Sequence, residues 1–166
     1  MTPQTPRDAK HRLWPEFGRV QATEPVRVLL VVDEPGLRQV LAQELLADPR
    51  VLLTAQTGST REARRFIGTA SFDVLVADID FDGEQGLELI AATRARRPIA
   101  EIIAMSSSEE PEDALRAMRL GATGYLTKSS WFRDIADAVL QVANGGAAIS
   151  PSVTRQLLGV ALGGKT

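Results

Sequence analysis

Length, composition and charge together restrict the class of protein. The chain has 166 residues, 44% of them hydrophobic, which is enough for one domain with a sizeable core, and its lack of cysteine excludes disulfide frameworks and thiolate metal sites. A formal net charge of -2 without a lysine or arginine cluster argues against direct nucleic-acid binding. No apolar run approaches the roughly 20 residues that cross a bilayer, and the N-terminus lacks the apolar core of a signal peptide. We therefore expect a cytoplasmic protein that makes no contact with a membrane.

The N-terminal segment has a composition unlike that of the rest of the chain. Residues 1–25 contain four prolines, several charges and few periodic apolar positions. Such a segment cannot bury enough apolar surface to offset the entropy lost on ordering. The composition predicts a flexible tail over 1–25.

Strand and helix patterns alternate regularly after the tail. The run VRVLLVV at 26–32 is typical of a strand buried on both faces, and similar patterns occur at 51–55, 72–77, 101–105 and 124–127. Apolar residues at helical spacing follow each of these runs. Right-handed crossovers between parallel strands then predict an α/β fold, namely a doubly wound five-stranded parallel sheet in the flavodoxin-like (βα)5 order 2-1-3-4-5.

Polar residues stand where four of these strands stop. Asp33 and Glu34 follow the first strand, Asp78 the third, Ser106 the fourth and Lys128 the fifth. Because ligands of such sheets bind at the carboxyl ends of the strands, we expect these side chains to form one site.

The acidic members of this set predict a metal-dependent chemistry. The first and third strands are neighbours in the expected order, so Asp33, Glu34 and Asp78 would converge and repel one another. Mg²⁺ accepts oxygen ligands and would cancel that repulsion. Asp78 could then act as a nucleophile toward a phosphoryl group.

The motifs around these residues carry a resemblance to a known family. Residues 26–146 resemble the receiver domain of bacterial two-component response regulators, through VLLVVDEP, FDVLVADIDFDGEQGLELI, the hydroxyl after IIAM and the lysine in GATGYLTK. GATGYLTKSS and ANGGAAISPSVTRQLL are most similar to the NarL/LuxR-type subfamily, in which a helix-turn-helix DNA-binding domain follows the receiver. We accordingly expect a receiver over 26–146 and a linker over 147–166 toward an effector domain that is absent here.

The resemblance implies a role for each residue of the site. Asp78 is the implied phosphoacceptor, Ser106 and Lys128 bind the transferred phosphoryl group, and Tyr125 turns inward as Ser106 is drawn toward it. The implied Mg²⁺ ligands are Asp33, Glu34, Asp78 and the backbone carbonyl of Asp80.

The resemblance also implies partners and limits the expected activity. The phosphoryl donor is a sensor histidine kinase, the active form is a homodimer, and DNA is bound only through the absent effector domain, which controls transcription. The receiver would catalyse no more than its own phosphorylation from small phosphodonors and its own dephosphorylation, and would not otherwise be an enzyme.

Two acidic residues depart from the family pattern. Asp80 stands where a neutral or basic side chain is usual, and Asp82 where proline is common. Their added negative charge predicts slower phosphorylation, unless they are simply solvated loop acids.

Two other functions stay open on the sequence alone. Asp78 and Asp80 fit the Asp-x-Asp signature of haloacid-dehalogenase-type phosphatases, in which the first aspartate is the nucleophile and the second a general acid. Alternatively, the chain is a receiver that no longer uses phosphate and serves as a dimerisation module.

Overall fold

Six strands and six helices alternate along the residues that the computed structural model describes, which are 24–81, 83–129 and 134–163. The strands are β1 (Val26–Val31), β2 (Val51–Thr57), β3 (Val74–Asp78), β4 (Glu101–Ser106), β5 (Gly124–Thr127) and β6 (Ala148–Ile149). The helices are α1 (Pro35–Leu46), α2 (Thr60–Thr69), α3 (Gln85–Arg96), α4 (Pro111–Arg119), α5 (Ile135–Ala143) and α6 (Pro151–Ala161). Asp82 and all but the last two residues of the predicted tail over 1–25 lie outside the described residues.

The strands form one parallel sheet in the order β2-β1-β3-β4-β5-β6. This order confirms the predicted flavodoxin-like arrangement of the first five strands. The sixth strand was not predicted, because its two residues are too few to show a periodic pattern. It pairs in parallel with β5, where Ala148 and Ile149 lie opposite Gly124 and Tyr125.

Helices cover both faces of the sheet, as the continuous apolar strand runs predict. Successive residues of β1 alternate between two cores: Val28 and Leu30 belong to one, and Leu29 and Val31 to the other. The first core includes residues of α1 and α5, and the second includes residues of α2, α3, α4 and α6. Within the described part of the chain, no helix combines the length and the apolar content that crossing a membrane requires.

The segment after α5 packs against the edge of the sheet. Pro151 is the first residue of α6, where its missing N–H leaves no helical hydrogen bond unmade. Ser150 is fully buried: its N–H donates to the carbonyl oxygen of Tyr125 (3.0 Å), and its Oγ accepts from the Thr127 N–H (2.9 Å). The side chain of Val153 is buried in the same core as Tyr125. Residues 148–153 are thus joined to β5, while their role as a linker over 147–166 stays a prediction.

Candidate functional site

Adjacent strands bring the predicted polar residues to one edge of the sheet. Asp78 is the last residue of β3, Ser106 is the last residue of β4, and Lys128 directly follows β5. The ladder continues past the strand ends, since the Ile79 N–H donates to Met105 and the Lys128 N–H donates to Ser106, both at 2.9 Å. These bonds place the first residues of the loops in register with one another.

Asp78 is held at the base of this edge by two donors. Its side chain is 2% exposed, and its Oδ2 lies 2.8 Å from the Lys128 ammonium. Its Oδ1 accepts a 2.8 Å hydrogen bond from the backbone N–H of Asp80. A buried carboxylate needs such partners, because an unpaired charge in the interior is strongly disfavoured.

The side chain of Asp80 accepts contacts from three donors. Its Oδ1 accepts from the Ser106 hydroxyl (2.8 Å), and its Oδ2 accepts from the Ser107 N–H (2.7 Å). The same Oδ2 lies 3.0 Å from the Lys128 ammonium. Asp80 is therefore not a simple solvated loop acid, which was one of the two interpretations open from the sequence.

These contacts keep the Asp80 carboxylate and the Lys128 ammonium ionised near neutral pH. Burial acting alone would raise the pKa of Asp80, but the hydrogen bonds from Ser107, Ser106 and Lys128 outweigh it and hold that pKa below the usual 3.8. Burial would lower the pKa of Lys128, yet hydrogen bonds and charge attraction to Asp78 and Asp80 raise it above the usual 10.5.

A chain of hydrogen bonds connects this edge with Tyr125. The Ser108 N–H donates to Ser106 Oγ at 3.0 Å, and the Ser108 carbonyl oxygen accepts from the Tyr125 hydroxyl at 2.9 Å. Tyr125 is fully buried, and burial is the main reason that its pKa lies above the usual 10.0. The tyrosine therefore occupies the inward position that the family resemblance implies for the switched state.

The predicted acidic residues that follow β1 make none of these contacts. Asp33 and Glu34 are exposed, and no three acidic or histidine side chains within 24–81, 83–129 and 134–163 lie close enough to hold a metal ion. The expected convergence of Asp33, Glu34 and Asp78 is thus not observed, because the Asp78 carboxylate is turned toward Lys128 and the loop after β3.

The donor chemistry nevertheless fits Mg²⁺. This ion takes carboxylate oxygens, often binds through only one or two of them and keeps several waters. Asp33 and Glu34 follow β1, which pairs directly with β3, the strand that carries Asp78. The ligand roles of Asp33, Glu34, Asp78 and the Asp80 carbonyl remain a prediction.

Two contributors were missed from the sequence. The backbone N–H of Ser107 and the carbonyl of Ser108 take part in the network, although only Ser106 was singled out. The run of three serines at 106–108 was a visible signal, because small polar residues after a strand commonly offer loop hydrogen bonds.

A glycine sets how closely α3 approaches the end of β3. A Cβ at Gly86 would lie 2.5 Å from the Ile79 Cα and 3.0 Å from the Asp78 carbonyl oxygen. Only a residue without a side chain allows this distance between the helix start and the loop that carries Asp80.

The comparisons with known proteins identify the family of the chain. The family model for the response regulator receiver domain matches residues 28–140. The nitrate/nitrite response regulator NarL of Escherichia coli K12 is 28% identical over 131 residues, which are 79% of this chain and 61% of that protein. A LuxR-family two-component response regulator from Aurantimonas sp. SI85-9A1 superposes with a TM-score of 0.78 at 26% identity, covering 84% of this chain and 99% of that structure.

The fold and these matches define a receiver domain built on a parallel α/β sheet. The chain belongs to the response regulator receiver family, and its relatives place it with the NarL/LuxR type. It spans 61% of the length of NarL.

Proteins that contain a receiver domain include both regulators and enzymes. The matched family is one of receiver domains. One relative, the protein-glutamate methylesterase/protein-glutamine glutaminase of Agrobacterium fabrum C58, is an enzyme by name and is 34% identical over 123 residues, which are 35% of its length. Some proteins that carry a related segment are thus enzymes.

Proposed function

We propose that the protein is a phosphoacceptor receiver in which Asp78 takes a phosphoryl group from a sensor histidine kinase. The observation that supports this most is the position of Asp78, a buried carboxylate at a strand end whose Oδ2 lies 2.8 Å from the Lys128 ammonium. A partly exposed lysine beside such a carboxylate supplies positive charge where the charge of a transferred phosphoryl group would accumulate.

The transfer step is a nucleophilic displacement at phosphorus. An oxygen of Asp78 attacks the phosphorus of a phosphohistidine, the P–O bond forms as the P–N bond breaks, and the imidazole leaves with the electron pair. The Asp80 N–H and the Lys128 ammonium orient the carboxylate from its two oxygens. Hydrolysis reverses the modification, when water attacks the phosphorus and Asp78 leaves as a carboxylate.

Asp33, Glu34, Asp78 and the Asp80 carbonyl are the proposed Mg²⁺ ligands. The ion, when bound, supplies charge stabilisation to the phosphoryl oxygens. The residues of this chain bind it, hold Asp78 in place and donate hydrogen bonds to the product from Ser106 and Lys128.

The proposed output runs from Ser106 to the C-terminal segment. Ser106 is joined through Ser108 to Tyr125, whose carbonyl oxygen accepts from the N–H of Ser150 just before α6. A change at Ser106 can therefore reach the helix that would lead into an effector domain.

Transcription control, the partners and the location complete the proposal. As in LuxR-type regulators, a helix-turn-helix domain would bind DNA, with homodimerisation of the receiver as the activating event. The cytoplasmic location belongs to the same proposal, since it depends on the family assignment. The family match gives no support to a phosphatase or to a phosphate-independent dimerisation module.

The test of the phosphoacceptor is intact mass after incubation with acetyl phosphate and Mg²⁺. The wild type should gain the mass of one phosphoryl group, and Asp78→Asn should gain none, because the amide is not a nucleophile toward phosphorus. Omitting Mg²⁺ should slow the gain strongly.

A matched control is Asp137→Asn, which removes a carboxylate that is 71% exposed on α5. This variant should be phosphorylated like the wild type. An adduct of normal yield on Asp78→Asn would show that another residue is the acceptor and would refute the assignment.

A further inference from the structure

The donors proposed to bind the phosphoryl group already hold an anion, and that anion belongs to the protein itself. The Asp80 carboxylate accepts from the Ser106 hydroxyl, the Ser107 N–H and the Lys128 ammonium, at 2.8, 2.7 and 3.0 Å. Two carboxylate oxygens bound by a lysine, a hydroxyl and a backbone N–H reproduce the kind of contacts that phosphoryl oxygens receive.

The Ser106 hydroxyl can donate either to Asp80 or to a phosphoryl group, but not to both. A hydroxyl has one O–H donor, and Ser106 directs it to Asp80 Oδ1 while its oxygen accepts from the Ser108 N–H. Ser106 cannot donate to a phosphoryl oxygen at the same time. Lys128 divides its ammonium between Asp78 and Asp80, so part of its charge is also engaged.

The Asp80 contact extends to the switch residue. Ser106 is linked through Ser108 to the buried hydroxyl of Tyr125, and Ser107, the residue between the two serines, is bound directly by Asp80. The loop is thus drawn toward Asp80 while Tyr125 lies inward.

We propose that the Asp80 carboxylate is an internal ligand of the phosphoryl-binding donors, which must leave before Asp78 is phosphorylated and which holds Tyr125 inward until then. The proposal rests on the proposed function, because it assumes that Ser106 and Lys128 receive the phosphoryl group. It makes phosphorylation an exchange of one bound anion for another. Bound Asp80 slows phosphorylation, because its contacts must break first. It also makes the position of Tyr125 before phosphorylation more similar to its position afterwards.

The first measurement is the rate of adduct formation with acetyl phosphate and Mg²⁺, followed by intact mass. Asp80→Ala should be phosphorylated at least about tenfold faster than the wild type, because a tenfold change corresponds to the net removal of roughly one charge-assisted hydrogen bond that otherwise has to break. Asp80→Asn should fall between the two, since it keeps an acceptor oxygen but loses the charge.

The matched control is Glu84→Gln. Glu84 is an acidic residue of the same loop region, 66% exposed and paired with Arg116 rather than with the site. The substitution removes one negative charge without changing a contact of Ser106, Ser107 or Lys128. A gain in rate as large in Glu84→Gln as in Asp80→Ala would assign the effect to general charge and overturn the proposal.

The second measurement reads the switch without depending on phosphoryl transfer. Tyr125 is the only tyrosine of the chain, so incorporation of 3-fluorotyrosine gives a single ¹⁹F resonance from this position. Before any phosphodonor is added, Asp80→Ala should show a resonance displaced from that of the wild type. Phosphorylation of Asp80→Ala should move it back toward the wild-type position.

The two proposals fail in different ways. If no variant forms an adduct, phosphoryl transfer to Asp78 is refuted together with the exchange of anions, and the ¹⁹F comparison then tests only whether Asp80 holds Tyr125 inward. If adducts form at equal rates in the wild type and Asp80→Ala and the resonance is unchanged, Asp80 is no ligand of the switch, while the phosphoacceptor assignment stands.

Discussion

The Lys128 ammonium lies 2.8 Å from Oδ2 of Asp78, across the end of β4, the strand between their own two strands. The lysine is 24% exposed, whereas the aspartate is 2% exposed, so the ion pair is buried on one side and reaches solvent on the other. This position lets one side chain neutralise a buried carboxylate and still meet an incoming anion.

Replacement of Lys128 should destabilise the fold. Lys128→Ala leaves the buried Asp78 carboxylate without its cation and should lower the free energy of unfolding by about 1–3 kcal/mol, less than for a fully buried pair because the lysine is partly exposed. Denaturant unfolding of the single variants and of Lys128→Ala/Asp78→Asn measures the coupling. Purely additive losses in the double variant would show that the two residues do not stabilise each other.

Replacement of Asp33 should weaken Mg²⁺ binding. Asp33→Asn removes one carboxylate charge from the proposed ligand set and should reduce the affinity for Mg²⁺ at least about tenfold in isothermal titration calorimetry. Glu88→Gln is the control, since Glu88 is 63% exposed on α3 and pairs with Arg64. Equal affinities in Asp33→Asn and the control would remove Asp33 from the set.

Alkaline titration should find Tyr125 ionising above its usual pKa of 10.0, because burial of the ring disfavours the phenolate. A folded-state pKa above the unfolded value means that the resulting stabilisation is complete below about pH 10 and is lost as the pH rises through the folded-state pKa. Absorbance of the phenolate reports this group alone, because the chain has one tyrosine. The same midpoint in native protein and in guanidinium chloride would contradict the buried position.

Substitution of Gly86 should be costly even by the smallest side chain. The Cβ of Gly86→Ala would overlap the Ile79 backbone, and relief by movement of α3 should cost about 1–3 kcal/mol of unfolding free energy. Gly159→Ala is the matched control, because a Cβ at Gly159 in α6 would meet no heavy atom within 4 Å apart from its own chain neighbours and helix backbone, and alanine favours helix. Thermal or denaturant unfolding compares the two; a Gly86→Ala variant as stable as the wild type would refute the close approach.

Much of the fold followed from local pattern. The central residues of the apolar runs in β1, β3 and β4 are all buried. Such continuous runs predict a sheet that is covered on both faces. The handedness of the crossovers then restricts the strand order to very few possibilities. The two-residue strand β6 could not be predicted from local pattern, because only its pairing with β5 makes it a strand.

The candidate site was predictable in its members but not in their contacts. Strand ends put Asp78, Ser106 and Lys128 at one edge, since parallel strands share the direction in which they end. Which oxygen faces which donor depends on side-chain rotamers and on the path of the loop after β3, and these are set by packing around residues such as Gly86.

Asp80 and Asp33 show this division most clearly. In the sequence both are acids after a strand, and both were expected near a metal. The sequence by itself determined which residues stand at the carboxyl edge, because backbone periodicity and chain direction decide that. Only the tertiary structure decided that the Asp80 carboxylate reaches Ser106, Ser107 and Lys128 while Asp33 stays exposed, because such contacts join residues from different strands and form only when the sheet brings those strands together.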